Sequence, residues 1–98
     1  MQVGTIEYLS RIEDCNAEND NIDVHVTLTD GRVYSFLVAT PNNIYWCMQN
    51  EGLDYFFGVP PVFVRNLTRQ NVERALNALT ADRGGWLDVY GVLQIRSD

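Results

Sequence analysis

One histidine, His25, two cysteines, Cys15 and Cys47, and thirteen carboxylates are the groups in this chain that could do acid–base, nucleophilic or metal chemistry. None is spaced for it. A metal centre or a base–nucleophile pair usually draws on several such groups held together, and His25 stands alone between Val24 and Val26, two residues from Asp23. It reads as a partly exposed strand histidine. Cys47 falls on the apolar stripe of a predicted helix, where burial raises a thiol's pKa and leaves it inert. Cys15 lies among Glu13, Asp14 and Glu18, whose charges disfavour its thiolate. The acidic run Glu13, Asp14, Glu18, Asp20 and Asp23 invites a calcium reading, but it has no central glycine and it joins two strands. A solvated loop or an acidic docking surface fits it better. No nucleotide-binding glycine loop, GxSxG or HExxH pattern occurs. No catalytic residue, metal or cofactor is assigned on these grounds, and the chain leans away from the familiar enzyme classes.

Two groups of side chains suit binding instead. The first is Tyr55-Phe56-Phe57-Gly58-Val59-Pro60-Pro61, with Tyr45 and Trp46 on the helix before it. Aromatics in a connection often close a core, but Tyr, Trp, Phe and Arg are also enriched at interface centres. Tyr45 and Trp46 favour the second role, because they lie off the helix's Ile44/Cys47/Met48 stripe. The second group is Arg65, Arg69 and Arg74. Arg69 falls on the first residue of a helix, where the dipole disfavours a cation. A local rule broken without visible compensation points to an anion or an acidic partner, helped by the free amides of that helix end.

The elements that must position these residues are legible in part. Val3 to Glu13 alternates imperfectly and predicts a strand, followed by an acidic loop over 14–21. Val24, Val26 and Leu28 alternate with polar residues up to Asp30-Gly31, and Arg32 to Thr40 forms the return strand. Asp-Gly between two β-rich runs predicts a two-residue type I′ turn. That turn pairs Thr29 with Arg32, Leu28 with Val33 and Val26 with Ser35, putting Val33 and Leu37 on the face of Val24 and Val26. Thr40-Pro41 is a cap followed by proline at the first helical position. Ile44, Cys47 and Met48 make that helix's buried stripe, and Gly52 with Leu53 ends it. Val62 to Arg65 is a short strand. Thr68 caps a second helix with Leu67 and Val72 as a hydrophobic staple and Val72, Ala75, Leu76 and Leu79 as its inner face. The run 82–85 breaks it, and Trp86 to Tyr90 is a last strand, with Val92 to Ile95 an extended tail.

The order is thus β-β-β-α-β-α-β: a single α+β domain over residues 1–98, a mostly antiparallel sheet of about five strands with two helices packed on it. At 98 residues, 46% hydrophobic and 20% charged, the composition is globular rather than disordered. The absence of a basic start and apolar run at the N-terminus predicts a cytoplasmic protein with reduced thiols. No stretch is long and apolar enough for a membrane. The net charge of −6 argues against nucleic-acid binding. It is also uneven: residues 1–60 carry −7 and residues 61–98 carry +1. All seven basic residues are arginine, which suits planar bidentate contacts, though genome composition gives the same bias.

The expectation is therefore a small acidic, non-catalytic, bacterial-type protein that binds another protein. It would be an immunity or inhibitor protein masking a basic partner, or a homodimer. The alternative is a small-molecule domain with a pocket between sheet and helices, lined by Trp46, Tyr55, Phe57 and Trp86.

Overall fold

In a computed structural model that describes residues 2–81 and 85–95, the chain runs β1 (Val3–Tyr8), a 3-10 turn (Ile12–Asp14), β2 (Asn21–Leu28), β3 (Val33–Ala39), α1 (Pro41–Glu51), β4 (Val62–Phe63), α2 (Arg69–Ala81), α3 (Trp86–Tyr90) and β5 (Val92–Ile95). This is an α+β fold with a five-stranded, mostly antiparallel sheet and two long helices. Strands β1, β2 and β3 form an antiparallel meander. The far edge of β3 is shared: β5 pairs with its first half antiparallel, and β4 with Val38 and Ala39 at its end in parallel. The single parallel pair therefore arises across α1.

The hairpin forms at Asp30-Gly31, but its register differs by one residue from the two-residue turn. Val26 faces Tyr34, and Thr27 faces Val33. Only Gly31 has positive φ, at 93°, so a type I′ turn, which needs two such residues, does not form. Instead Gly31 N–H donates to Leu28 O (3.0 Å) and Leu28 N–H to Arg32 O (2.8 Å), closing a three-residue loop with a glycine bulge. The Asp30 carboxylate accepts both the Arg32 amide (3.0 Å) and its Nε (2.7 Å). One residue of slip inverts every side chain of a strand. Tyr34, Phe36 and Val38 consequently join Val24, Val26 and Leu28 in the core, while Val33 and Leu37 go to the opposite, half-buried face. The larger apolar area of Tyr and Phe favours that outcome.

Helix α2 lies over the core face. Thr68 Oγ1 accepts the Asn71 amide (3.2 Å), and Leu67 and Val72 are both buried, as the capping and staple pattern predicts. Leu76 and Thr80 are buried below them, with Ala75 and Leu79 half-buried. The stretch 82–84 of the expected break lies outside the described residues. Trp86 to Tyr90 is a short helix, not a strand, and the last strand is the expected tail, Val92–Ile95. Leu87 and Tyr90, three apart on one helix face, pack on the core; Trp86, Leu87, Val89 and Tyr90 put apolar residues on both faces of a strand as well, so a run of five does not show which period applies. Gly91 then turns the chain over the core rings: a Cβ there would lie 2.7 Å from Leu87 O and 2.8 Å from the Tyr34 ring.

Candidate interaction surface

Helix α1 begins as its caps dictate. Thr40 Oγ1 accepts the Asn43 amide (3.3 Å). At the other end Leu53 N–H reaches Met48 O (2.8 Å) and Gly52 N–H reaches Gln49 O (3.2 Å), the paired bonds of a Schellman turn. What the helix does not do is bury its stripe. Ile44, Cys47 and Met48 are only half-buried, so Cys47 is not the core cysteine its spacing suggested. From 41 to 60 the one buried side chain is polar, Asn43, and every residue from 49 to 60 is exposed. The stretch 41–61 is an arm that leaves the end of β3 and returns at β4.

The arm is held by amides. Asn43 Nδ2 donates to Asn19 Oδ1 (3.2 Å), and Asn21 Nδ2 donates to Asn43 Oδ1 (2.6 Å). Thr40 N–H donates to Asp20 O (3.1 Å) and Asn42 Nδ2 to Glu18 O (3.3 Å). Three of these contacts come from the acidic loop between β1 and β2, and the fourth from Asn21, the first residue of β2. The same loop also fixes the start of α2: Leu67 N–H donates to Ala17 O (2.7 Å), and Glu13 binds Arg69. The loop predicted as a solvated connection is thus a clamp on the N-termini of both long helices.

Arg69 is spoken for. Its Nε and Nη2 lie 3.2 and 3.0 Å from Glu13 Oε2, and its guanidinium sits over the Tyr8 ring at 4.4 Å. The hydrogen bond from Arg69 holds the Glu13 carboxyl below the usual range, and the same bond raises the arginine's pKa. The compensation missing from the sequence is a carboxylate from far earlier in the chain. Burial raises the Tyr8 phenol's pKa, and its oxygen is buried without a hydrogen-bond partner among the described residues. The Cys15 thiol is raised by burial and then by Asp20, Asp14 and Glu13. Arg65 and Arg74 do come together. They line an open groove of about 780 Å³ with Asn66, Asn71, Ala75 and Asn77, and neither makes an ion pair among the described residues. Arg69 is not part of it.

The five aromatic candidates are all exposed: Tyr45, Trp46, Tyr55, Phe56 and, at 83%, Phe57. None closes the core. Tyr55 and Phe57 stack on each other, 5.7 Å between centroids and 8° from parallel, while Tyr45 accepts a hydrogen bond from Gln49 (3.1 Å). A groove of about 520 Å³ runs beside Tyr45, Met48, Gly52 and Leu53. Leu53, Val59 and Phe63 are exposed as well. Sequence reasoning passed over Phe63, although its place between buried Val62 and Val64 marks it as pointing the other way. Trp86 belongs elsewhere. It pairs with Tyr90 on the short helix whose Asp88 accepts from Tyr34 Oη (3.3 Å), near the start of β3 rather than its end.

Among the described residues no three His, Cys, Asp or Glu side chains are grouped to hold a metal ion, and no helix is long and apolar enough to cross a membrane. His25 faces Glu7 across the open sheet face at 3.6 Å. The chain matches no known family, and no curated protein or solved structure is significantly similar to it.

Proposed function

We propose that this protein is a non-catalytic interaction module that docks another protein chain through its aromatic arm. The observation that carries this reading is the exposure of Tyr45, Trp46, Tyr55, Phe56 and Phe57 on a stretch whose apolar side chains, Pro61 apart, are at most half-buried. Weighted by aromatic side-chain areas of roughly 150–250 Å², these rings with Leu53, Val59 and Phe63 expose on the order of 800 Å². Exposed apolar surface that lies together marks interaction sites, and here the Tyr55–Phe57 stack and the groove beside Tyr45, Met48 and Leu53 are such places. Large exposed apolar surface on a helix whose ends are fixed by capping is a preorganised binding element.

The acidic surface adds less to this reading than the composition suggested. Glu13, Asp14 and Asp30 are already paired with Arg69, Arg11 and Arg32. The small-molecule reading is weaker, since Trp46, Tyr55 and Phe57 lie on the arm and Trp86 does not.

The test is an affinity pull-down from the lysate of the protein's own organism, comparing the wild type with a variant carrying Tyr55→Ser, Phe56→Ser and Phe57→Ser. Retention of one defined protein by the wild type and its loss from the folded variant is the expected result. Identical captures by both would remove the arm from any interface.

A further inference from the structure

We infer that the chain seated on the arm is a second copy of this one, related by a two-fold axis. The inference rests on the docking reading above and names its partner. Area is the first argument. A stable interface of standard size buries about 800 Å² per partner, which is the order of apolar surface the arm presents. The second is the chemistry of the surface. From residue 41 to 61 the only charged side chains are Glu51 and Asp54. An acidic or basic partner surface would find almost nothing to pair with there, whereas an uncharged aromatic surface matches it, as in the charge-depleted centres of interfaces. The arm is itself such a surface.

Shape is the third argument. A two-fold interface must be self-complementary, so each copy needs both a projection and a recess for it. The arm has both. Phe57, stacked on Tyr55, projects at 83% exposure. The groove beside Tyr45, Met48 and Leu53, about 520 Å³, has room for an aromatic side chain. In one copy the projecting ring cannot serve the groove's need for cover, since both remain exposed. In two copies each ring fills the other's groove.

The rim supplies a fourth argument. Arg65 lies two residues beyond Phe63 at the base of the arm, where β4 pairs with the end of β3, exposed and without an ion pair among the described residues; Glu51 and Asp54 lie at and just past the far end of α1. A two-fold axis perpendicular to the arm sets the base of one copy against the far end of the other, so in this seating each Arg65 meets Glu51 and Asp54 of its partner. The same surface offered to a third protein would leave that complementarity unused.

Sedimentation velocity across a wide concentration range tests this directly. The wild type is expected to reach twice the chain mass of 11.2 kDa, and the Tyr55→Ser, Phe56→Ser, Phe57→Ser variant to remain monomeric with an unchanged far-UV circular dichroism spectrum. A second pair of variants guards against misfolding of the first. Arg65→Glu should weaken dimerisation by a few-fold to about tenfold, the range for exposed ion pairs, and adding Asp54→Arg should restore it. A wild type that stays monomeric at every concentration overturns the inference. If the pull-down still yields a partner lost in the triple variant, the docking reading survives with a different chain on the arm; if it does not, both fall. A dimer that persists in the triple variant also overturns the inference, because the contact then lies elsewhere, for instance on the free edge of β1. Failure of the Asp54→Arg rescue overturns the two-fold seating.

Discussion

Phe36 and Phe57 are the same side chain in opposite circumstances. Phe36, in the middle of β3, is 1% exposed, packed against Tyr34 and beneath Gly91; Phe57, at the tip of the arm, is 83% exposed and touches chiefly Tyr55. The two halves of the molecule differ in the same way. The sheet with α2 is held by interdigitated apolar side chains, the force that dominates folding. The arm is held by an amide latch at its base and by its own helix caps, and its apolar side chains face outward. One region buries its apolar side chains, and the other exposes most of its own.

The largest test of that contrast is to delete both rings. Phe36→Ala removes the largest of the fully buried side chains and should cost about 3–5 kcal/mol in urea unfolding. Phe57→Ala, measured at concentrations where the chains are dissociated, should stay within about 0.5 kcal/mol of the wild type. Comparable losses would mean that the arm shares the core, and the distinction between the halves would collapse.

A smaller effect should appear at the latch. Asn43 is buried and joined to Asn19 and Asn21 through both ends of its amide. Asn43→Ala removes both hydrogen bonds and should cost about 1–3 kcal/mol, at about 0.5–1.5 kcal/mol net for each. The sharper readout is where the loss falls. Hydrogen exchange should quicken at the amides of α1 while those of β2 and β3 keep their protection, because cooperative units open separately. Uniform loss of protection would show that the latch and the sheet are one unit.

The features legible in the sequence are those written within a few residues. Thr40-Pro41, Gly52-Leu53 and Leu67-Thr68 each announce a helix boundary, because capping satisfies backbone groups from adjacent side chains. The alternation at Val24, Val26 and Leu28 likewise marks a strand with one buried face. The failures are non-local or energetically close. The Asp30-Gly31 signal fits both a two- and a three-residue loop, and only the burial of Tyr34 and Phe36 decides between them. Trp86 to Tyr90 is too short for periodicity to decide. Ile44, Cys47 and Met48 have the spacing of a buried stripe, yet spacing says which residues share a face and not whether anything covers it. The arm's aromatics were therefore visible as candidates, while their exposure was not. Arg69 looked uncompensated because Glu13, its partner, lies 56 residues away.

That last pair gives the smallest and most selective test. The loop between β1 and β2 grips α1 with neutral amides and α2 with a charge pair, so removing the charge should loosen one helix and spare the other. Glu13 has a depressed pKa in the folded protein because Arg69 donates to it. A depressed carboxyl pKa contributes stability that is present above the unfolded value and is lost as pH falls through the folded one. The contribution here should therefore be complete at neutral pH and fade in the acid range below the ordinary glutamate value of 4.5. Both side chains are about half exposed, so solvent and salt screen the pair and its effect on global stability should be slight. Carboxyl NMR titration reads it without that dilution. Arg69→Gln should move the Glu13 pKa upward toward its ordinary value and quicken exchange at the first turn of α2, with the first turn of α1 unchanged. An unmoved Glu13 pKa would mean that the contact with Arg69 is not formed in solution. Faster exchange at both helix starts would mean that the loop grips them as one rigid piece, and the arm could then not move independently of the core.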